Sequence, residues 1–389
     1  MRLPTYPSGH IQSLKNAISA VVAVLCGIAF LITPSPLPRG THPGSEISSR
    51  TCPDGAYQQA IHDALAAGSD QLQDWFNVVR TVRLQAHLKG ISRVAFSGSR
   101  IVTLDNSEPG VYLFSASGKL ERRLGRRGAA PGEFINPVDV AFGPDFIAVV
   151  DFTIKRVNLF SSAGAPVRSF VYSPEFFSAQ RLSFHAPSNQ FFLFGNRRHG
   201  TASNPSVTFV HRYRGDGQFE GSTFELPRKA CSLHFDADDA PMIEATPGDG
   251  AVLRFMLPWD SKLYSLSADG QATIAFDSAH EAVFRPPTSP LNLDRPSLAI
   301  FQHWVLSWTP IVGFAVDKDL FLVETQCFSP QRYRLEIWSL ADHVLLGSLV
   351  TNRWLLGRTR PGSYMFLEGF PERPTGSDYA ILETQLRAR

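Results

Sequence analysis

Carboxylates recur along this chain at the ends of short apolar runs. IVTLD ends in Asp105, IAVVD in Asp151, LFLVE in Glu324 and YMFLE in Glu368; PMIEA carries Glu244, and FFLFG is followed by Asn196. A second set, Arg93, Asp139, Arg181 and Ser232, opens the apolar stretches that precede Asp105, Asp151, Asn196 and Glu244. Carboxylates alternating with guanidinium groups suit a polar ligand such as a sugar, a peptide terminus or a small acid. Arg93, Asp139, Arg181, Asn196, Glu244 and Glu324 are the candidate ligand contacts. His303 and Trp304, from the aromatic-rich segment Ser278–Val312, join them as residues able to close over a ligand. Should three carboxylate or amide oxygens converge, Asp105, Asn196, Glu244 and Glu324 would instead suit a hard cation, calcium or zinc.

Each of these residues also has a simpler account. An acid at a strand end accepts backbone N–H bonds from the next turn, which suffices for Asp105 and Asp151. Asp139 and Arg181 could pair with each other across two neighbouring units. The aromatics of Ser278–Val312 could simply cover packed edges. Other chemistry is excluded more firmly. The histidines lack H-x-x-x-H or H-x-H spacing, and neither a G-x-S-x-G elbow nor a P-loop is present, so serine hydrolysis and nucleotide chemistry have no support. The net charge is +2, and no cationic run of the kind that tracks phosphates appears. Arg122-Arg123 and Arg126-Arg127 flank a turn and read as solvated, so no nucleic-acid partner is expected.

The elements that must position these residues are β-strands in a repeat. The acid-bearing runs lie about 44 to 49 residues apart, except for about 80 between Glu244 and Glu324, a period suited to propeller blades. A further strand and turn recur with them: VYLFSASGK, VNLFSSAGA, VHRYRGDGQ, LYSLSADGQ and LEIWSLADH. Leu124–Phe170 contains one whole unit, with strands expected at Val138–Phe142, Phe146–Val150, Arg156–Phe160 and Val167–Phe170. The expected fold is all-β: a six-bladed β-propeller of four-stranded antiparallel blades, preceded by an N-terminal transmembrane or signal helix and a short helix. Val79–Leu84 would complete the last blade and close the ring. Turns on one side of the disc are short. Those on the other, Asn196–Ser206, Thr246–Lys262, Ser278–Val312 and Thr325–Arg332, read as long, and that face is the expected binding face.

The central unit resembles an NHL repeat in Gly125, Gly128, Pro131-Gly132-x-Phe134, Pro137, Val140-Ala141, Asp151, Arg156-Val157 and Phe160. It departs from that pattern at Asp139, usually a small residue, and Ile154, usually asparagine. The resemblance implies a propeller that serves as a recognition platform. Six-bladed propellers resembling it also include lactone hydrolases and amidating lyases with an axial metal.

The remaining expectations concern the chain's ends and thiols. Ala17–Ile32 is an uncharged apolar run preceded by Arg2 and Lys15 and followed by prolines, which reads as an uncleaved membrane anchor with the rest extracytoplasmic. The expected organisation is an anchor or signal peptide at 1–33, a Pro/Gly/Ser-rich linker at 34–53, a short helical segment at 54–77 and the propeller at 78–389. Of the cysteines beyond Cys26, Cys52, Cys231 and Cys327, no two form a C-x-x-C pair, and an oxidising compartment would permit one disulfide among them. The function expected is a membrane-tethered module that binds a small polar ligand or a protein through its long-loop face, without catalysis or a cofactor. The alternative is a metal-dependent propeller enzyme of lactone hydrolase or lyase type.

Overall fold

In β7 (Phe146–Asp151) the residues from Ile147 to Asp151 are all buried, so both faces of this strand need cover. Alternation decides which neighbour each side chain meets. Ile147 and Val149 pack with Val102, Leu104 and Leu113 on one side, while Ala148 and Val150 pack with Leu182, Phe191 and Leu193 on the other. A sheet that is apolar on both faces must lie between two others, and repetition of that arrangement closes a ring.

The computed structural model describes residues 70–105, 110–172, 178–200, 205–227, 242–245, 251–257, 261–267, 269–277, 311–328, 331–368 and 379–387. Blade I comprises β2 (Ile91–Ser97), β3 (Arg100–Asp105), β4 (Gly110–Ser115) and β5 (Leu120–Leu124). Blade II has β6 (Pro137–Phe142), β7, β8 (Arg156–Ser161) and β9 (Pro166–Val171). Blade III has β10 (Ser178–His185), β11 (Gln190–Gly200), β12 (Pro205–Arg214) and β13 (Phe219–Pro227). Blade IV has β14 (Met242–Ala245), β15 (Ala251–Met256), β16 (Lys262–Ser267) and β17 (Ala272–Asp277). Blade V has β18 (Ile311–Asp317), β19 (Leu320–Phe328), β20 (Gln331–Ser339) and β21 (Val344–Thr351). Blade VI takes β22 (Trp354–Arg360), β23 (Ser363–Glu368) and β24 (Ala380–Leu386) from the end of the chain, and β1 (Phe76–Arg83) from near its start.

The first strands of the blades are neighbours in cyclic order, β2, β6, β10, β14, β18, β22 and back to β2, which makes them the hub. Six apolar clusters fill the six gaps between blades. Closure depends on β1, which pairs antiparallel with β24 from Phe76↔Leu386 to Arg83↔Ala380. Phe76 is 1% exposed, with its ring 5.8 Å from that of Tyr364 and 5.4 Å from that of Phe366. Polar contacts reinforce the seam: buried Glu383 accepts from Arg80 Nε at 3.0 Å, Arg360 Nη2 at 3.0 Å and Ser363 Oγ at 2.9 Å.

The recurring S-x-x-G turns have a reason in packing. Gly164, at φ +82°, ends the β8–β9 turn, and a Cβ there would lie 2.5 Å from Leu124 Cδ2 of the preceding blade. Gly118, at φ +84°, meets the Arg83 carbonyl of β1 in the same way. Each turn therefore docks on the outer strand of the blade before it, with a left-handed backbone and no room for a side chain. Blade V replaces the glycine with His343 at φ 58°, whose ring stacks on Phe276 of blade IV at 5.1 Å.

Several expectations change. PMIEA supplies the first strand of blade IV, not its second; Ala251–Met256, taken for loop, is the second strand and buries Leu253 and Phe255. The supposed long loops Asn196–Ser206 and Thr325–Arg332 are largely the extended ends of β11–β12 and β19–β20. Ser278–Val312 is described only from Ile311, where β18 begins. The helix expected up to Asn77 is described only as α1 (Leu72–Trp75), and strand pairing already begins at Phe76. Cys52 and Cys231 lie outside the described residues.

The membrane-tethered expectation also needs correction. No helix among the described residues is long and apolar enough to cross a membrane. With four residues, α1 rises only about 6 Å against a hydrocarbon core about 30 Å thick. Ala17–Ile32, on which the anchor rested, lies outside the described residues. The tether, and the extracytoplasmic location inferred from it, are withdrawn.

If β1 closes the ring, truncating Phe76 will cost far more than a surface change. Phe76→Ala is expected to lower unfolding free energy by about 3–5 kcal/mol, measured by urea titration. A loss under about 1 kcal/mol would contradict this account of closure.

Candidate axial site

Among the described residues, five of the six hub strands carry a β-bulge near their loop-side start, and the bulge sets what faces each neighbour. After it, Arg93 sits opposite Leu104, Asp139 opposite Val150 and Arg181 opposite Phe194. These three residues hold equivalent places on three consecutive hub strands. In blade V that place belongs to Gly313, opposite Glu324.

Asp139 joins three blades. Its Oδ2 accepts the Leu182 N–H of blade III at 2.7 Å, and its Oδ1 lies 3.9 Å from Arg93 Nε of blade I. The N–H is on the free edge of the inner strand β10, so without the carboxylate it would lack a partner from its own sheet. Burial pushes the Asp139 carboxyl up to about 6, against the lowering effects of Arg93 and of the Leu182 and Val140 N–H groups. Arg93 Nη1 donates to Ser92 O, and Arg181 Nη1 to Gln180 O at 2.9 Å, so each guanidinium is anchored on the carbonyl of its bulged neighbour. The ion pair of Asp139 thus points back to blade I, not forward to Arg181 as its simpler account had it.

Glu324 does the same work from a different strand. Its Oε2 accepts the Leu355 N–H of blade VI at 2.8 Å. Leu355 and Leu182 hold corresponding places, one residue beyond Trp354↔Leu367 and Arg181↔Phe194. Gly313 clears the path: a Cβ there would lie 2.7 Å from Leu355 O and 3.4 Å from Glu324 Oε2. An aspartate on the first strand with valine opposite has been exchanged for glycine with glutamate opposite. Glu324 is 0% exposed, and burial raises its pKa well above the usual range despite the Leu355 N–H.

The strand-ending acids serve the loops. Asp105 Oδ2 accepts the Lys89 N–H at 2.7 Å. Asp151 accepts four N–H groups, from Ile135, Asn136, Thr153 and Ile154, at 2.7 to 3.1 Å. Glu368 Oε1 accepts from Arg353 Nη2 at 2.6 Å. The simpler account therefore holds for Asp105 and Asp151. Register separates Glu324 from them, since Thr325, not Glu324, is level with Asp105, and alternation turns Glu324 to the other face. Glu244 lies on β14 opposite Arg254, and Asn196 on β11 opposite Ser178. His303 and Trp304 lie outside the described residues. Among the described residues no group of three or more His, Cys, Asp or Glu could hold a metal, so the metal-dependent alternative is withdrawn, with its calcium or zinc.

Sequence reasoning missed His211. Blade III has Gly195 where blades I and II have Asp105 and Asp151, and His211 Nε2 donates to the Gly195 carbonyl at 2.8 Å. A carbonyl only accepts, so the proton is on Nε2, and Nδ1 takes the Ser222 hydroxyl at 2.8 Å. Burial lowers its pKa to about 4. The signal available was the missing acid in FFLFG beside a lone histidine in VHRYR.

Residues 61–268 match a family model described as a 6-bladed beta-propeller. Comparison with curated proteins gave no match. Among solved structures, a member of the duf4221 family from Bacteroides vulgatus shares 9% identity over 80% of this chain and 97% of that one, at TM-score 0.48. A structural genomics protein of unknown function from Bacteroides thetaiotaomicron shares 11% over 80% and 72%, at 0.45. Streptogramin B lyase shares 11% over 81% and 99%, at 0.44. At these values the likenesses carry no inference about chemistry.

A pH experiment checks the role of Asp139. A raised carboxyl pKa favours folding below the unfolded value, near 4, and that contribution is lost as pH rises through about 6. His211 works in the opposite sense, its contribution being present above about 6.5 and lost as pH falls towards 4, so the wild-type profile alone mixes the two. The difference between wild type and Asp139→Asn isolates the carboxyl: wild type should lose about 2 kcal/mol relative to the variant between pH 4 and 6. A flat difference curve would show that Asp139 does not titrate in that window.

Proposed function

The chain belongs to the DUF5128 family, described as a 6-bladed beta-propeller, and from that premise we propose that it is a binding module for a small carboxylate-bearing ligand at the loop-side end of its hub. The observation that supports this most is the equivalence of Arg93, Asp139 and Arg181 on β2, β6 and β10. Two guanidinium groups flank one carboxylate there, and the Arg93 side chain is 25% exposed while Asp139 is 9% exposed. In this reading the arginines contact the ligand, with Arg93 oriented by Asp139 and Arg181 by the Gln180 carbonyl. A carboxylate ligand accepts paired N–H bonds from a guanidinium, a geometry that lysine would not supply. Asn196, Glu244, His303 and Trp304 are proposed as further contacts. Glu324, buried and bonded to Leu355, is assigned to the blade contact alone. The NHL-like features of Leu124–Phe170 belong to the same reading, that of a recognition platform.

The test is calorimetric titration of the purified protein with a panel of mono- and dicarboxylic acids and sugar acids, beside their neutral amides. At least one acid is expected to bind, its amide not, and Arg93→Ala and Arg181→Ala should each weaken binding about tenfold or more. Equal binding of acid and amide, or affinity untouched by both substitutions, would rule the site out.

A further inference from the structure

Among the outer strands, β5 stands apart in charge. The nine residues Lys119–Arg127 hold five cations and one carboxylate. By contrast β9 has one cation, Arg168; β1 has two, Arg80 and Arg83, with Arg80 bound to Glu383; β13 has two carboxylates, Glu220 and Glu225; β17 has one, Asp277; and β21 has no charge at all. Leu120 to Arg123 are all exposed. Glu121 is taken by Arg100 Nε at 3.1 Å, and Arg126 Nε by Glu133 at 2.7 Å. Lys119, Arg122, Arg123 and Arg127 have no carboxylate partner among the described residues.

The two central arginines lean opposite ways. The Arg122 stem lies against the Gly164 turn of blade II. The Arg123 guanidinium lies 5.6 Å over the ring of Tyr112, which belongs to the cluster between blades VI and I. Positive charge therefore brackets both faces of the blade along one edge. Isolated bridges occupy its two ends, Lys119 with Gln85 and Arg127 with Phe134, and between them that edge carries no further strand among the described residues.

We propose that the outer edge of β5 docks an extended acidic polypeptide segment, added to blade I as a fifth strand. An added strand takes its affinity from main-chain hydrogen bonds and its selectivity from side chains alternating above and below the sheet. Carboxylates on both faces of such a segment would meet Arg122 on one side and Arg123 on the other. A flat anionic surface would reach only one of those faces. The five residues of β5 span about 16 Å at 3.3 Å per residue, enough for a short added strand. A charged edge also discourages self-pairing, but that role predicts no affinity for an acidic strand.

The experiment follows fluorescence anisotropy of the full chain with a fluorescein-labelled peptide of alternating glutamate and valine. Saturable binding that weakens as salt rises is expected, reduced about tenfold or more in Arg122→Glu/Arg123→Glu. The same peptide, N-methylated at alternate amides so that it cannot complete a ladder, should bind about tenfold more weakly. Both substitutions are at exposed positions, and an unchanged melting curve for the double variant would confirm that its fold is intact. Absence of binding, equal binding of the N-methylated peptide, or preference for anionic phospholipid vesicles or heparin over the peptide would each overturn the proposal.

Discussion

Every blade of this protein is apolar on both faces, and nothing but another blade can cover it. This constraint explains the ring, the uniform depth of burial in the second strands, and the use of a strand from the far end of the chain to finish the sixth sheet. A five-sheet arc would leave two apolar faces open to water, at roughly 25 cal/mol for each Å² exposed. Closure is therefore not one stabilising contact among many. It is the condition under which the other interfaces are buried at all.

The polar groups near the hub are arranged around a second constraint. Inner strands have one edge without a partner strand, and their N–H groups must be satisfied by something in the neighbouring blade. Asp139 and Glu324 answer this need in different sequence contexts, one from the first strand and one from the second with a glycine opposite. Asp151 meets the equivalent need of the loops with four N–H bonds. Most of the chain's recurrent acids are thus part of the architecture. What stays distinctive at the hub is the pair of arginines flanking Asp139, which pack no core and end no strand.

Much of the fold was legible in the residues. Gly/Pro/Asp corners and alternating apolar runs placed the strands of Leu124–Phe170 to within a residue or two of β6 to β9, and the unpaired strand near the start was recognised as the closing one. What could not be read was register. Glu324 looks like Asp105 and Asp151 in a list of strand-ending acids, yet the pairing Gly313↔Glu324 moves it one place along, and one place turns a side chain to the opposite face. Blade IV failed for a related reason: PMIEA and AVLRFM are both strand-like, and only the partner strand tells first from second. The partners of Asp139 were also out of reach, because Leu182 lies 43 residues away and joins it through a backbone N–H, which has no signature in residue type.

The seam between β1 and β24 also governs the order in which the molecule can mature. Arg80 and Glu383, bonded across it, are 303 residues apart. At about 5–20 residues per second, a ribosome needs on the order of 15–60 seconds between making the two. Throughout that interval β1 has been translated but has no sheet to enter, and the nascent ring is a horseshoe with two greasy ends. Blade VI is therefore the last of the six sheets to form, and until it does the open horseshoe presents two apolar faces to water.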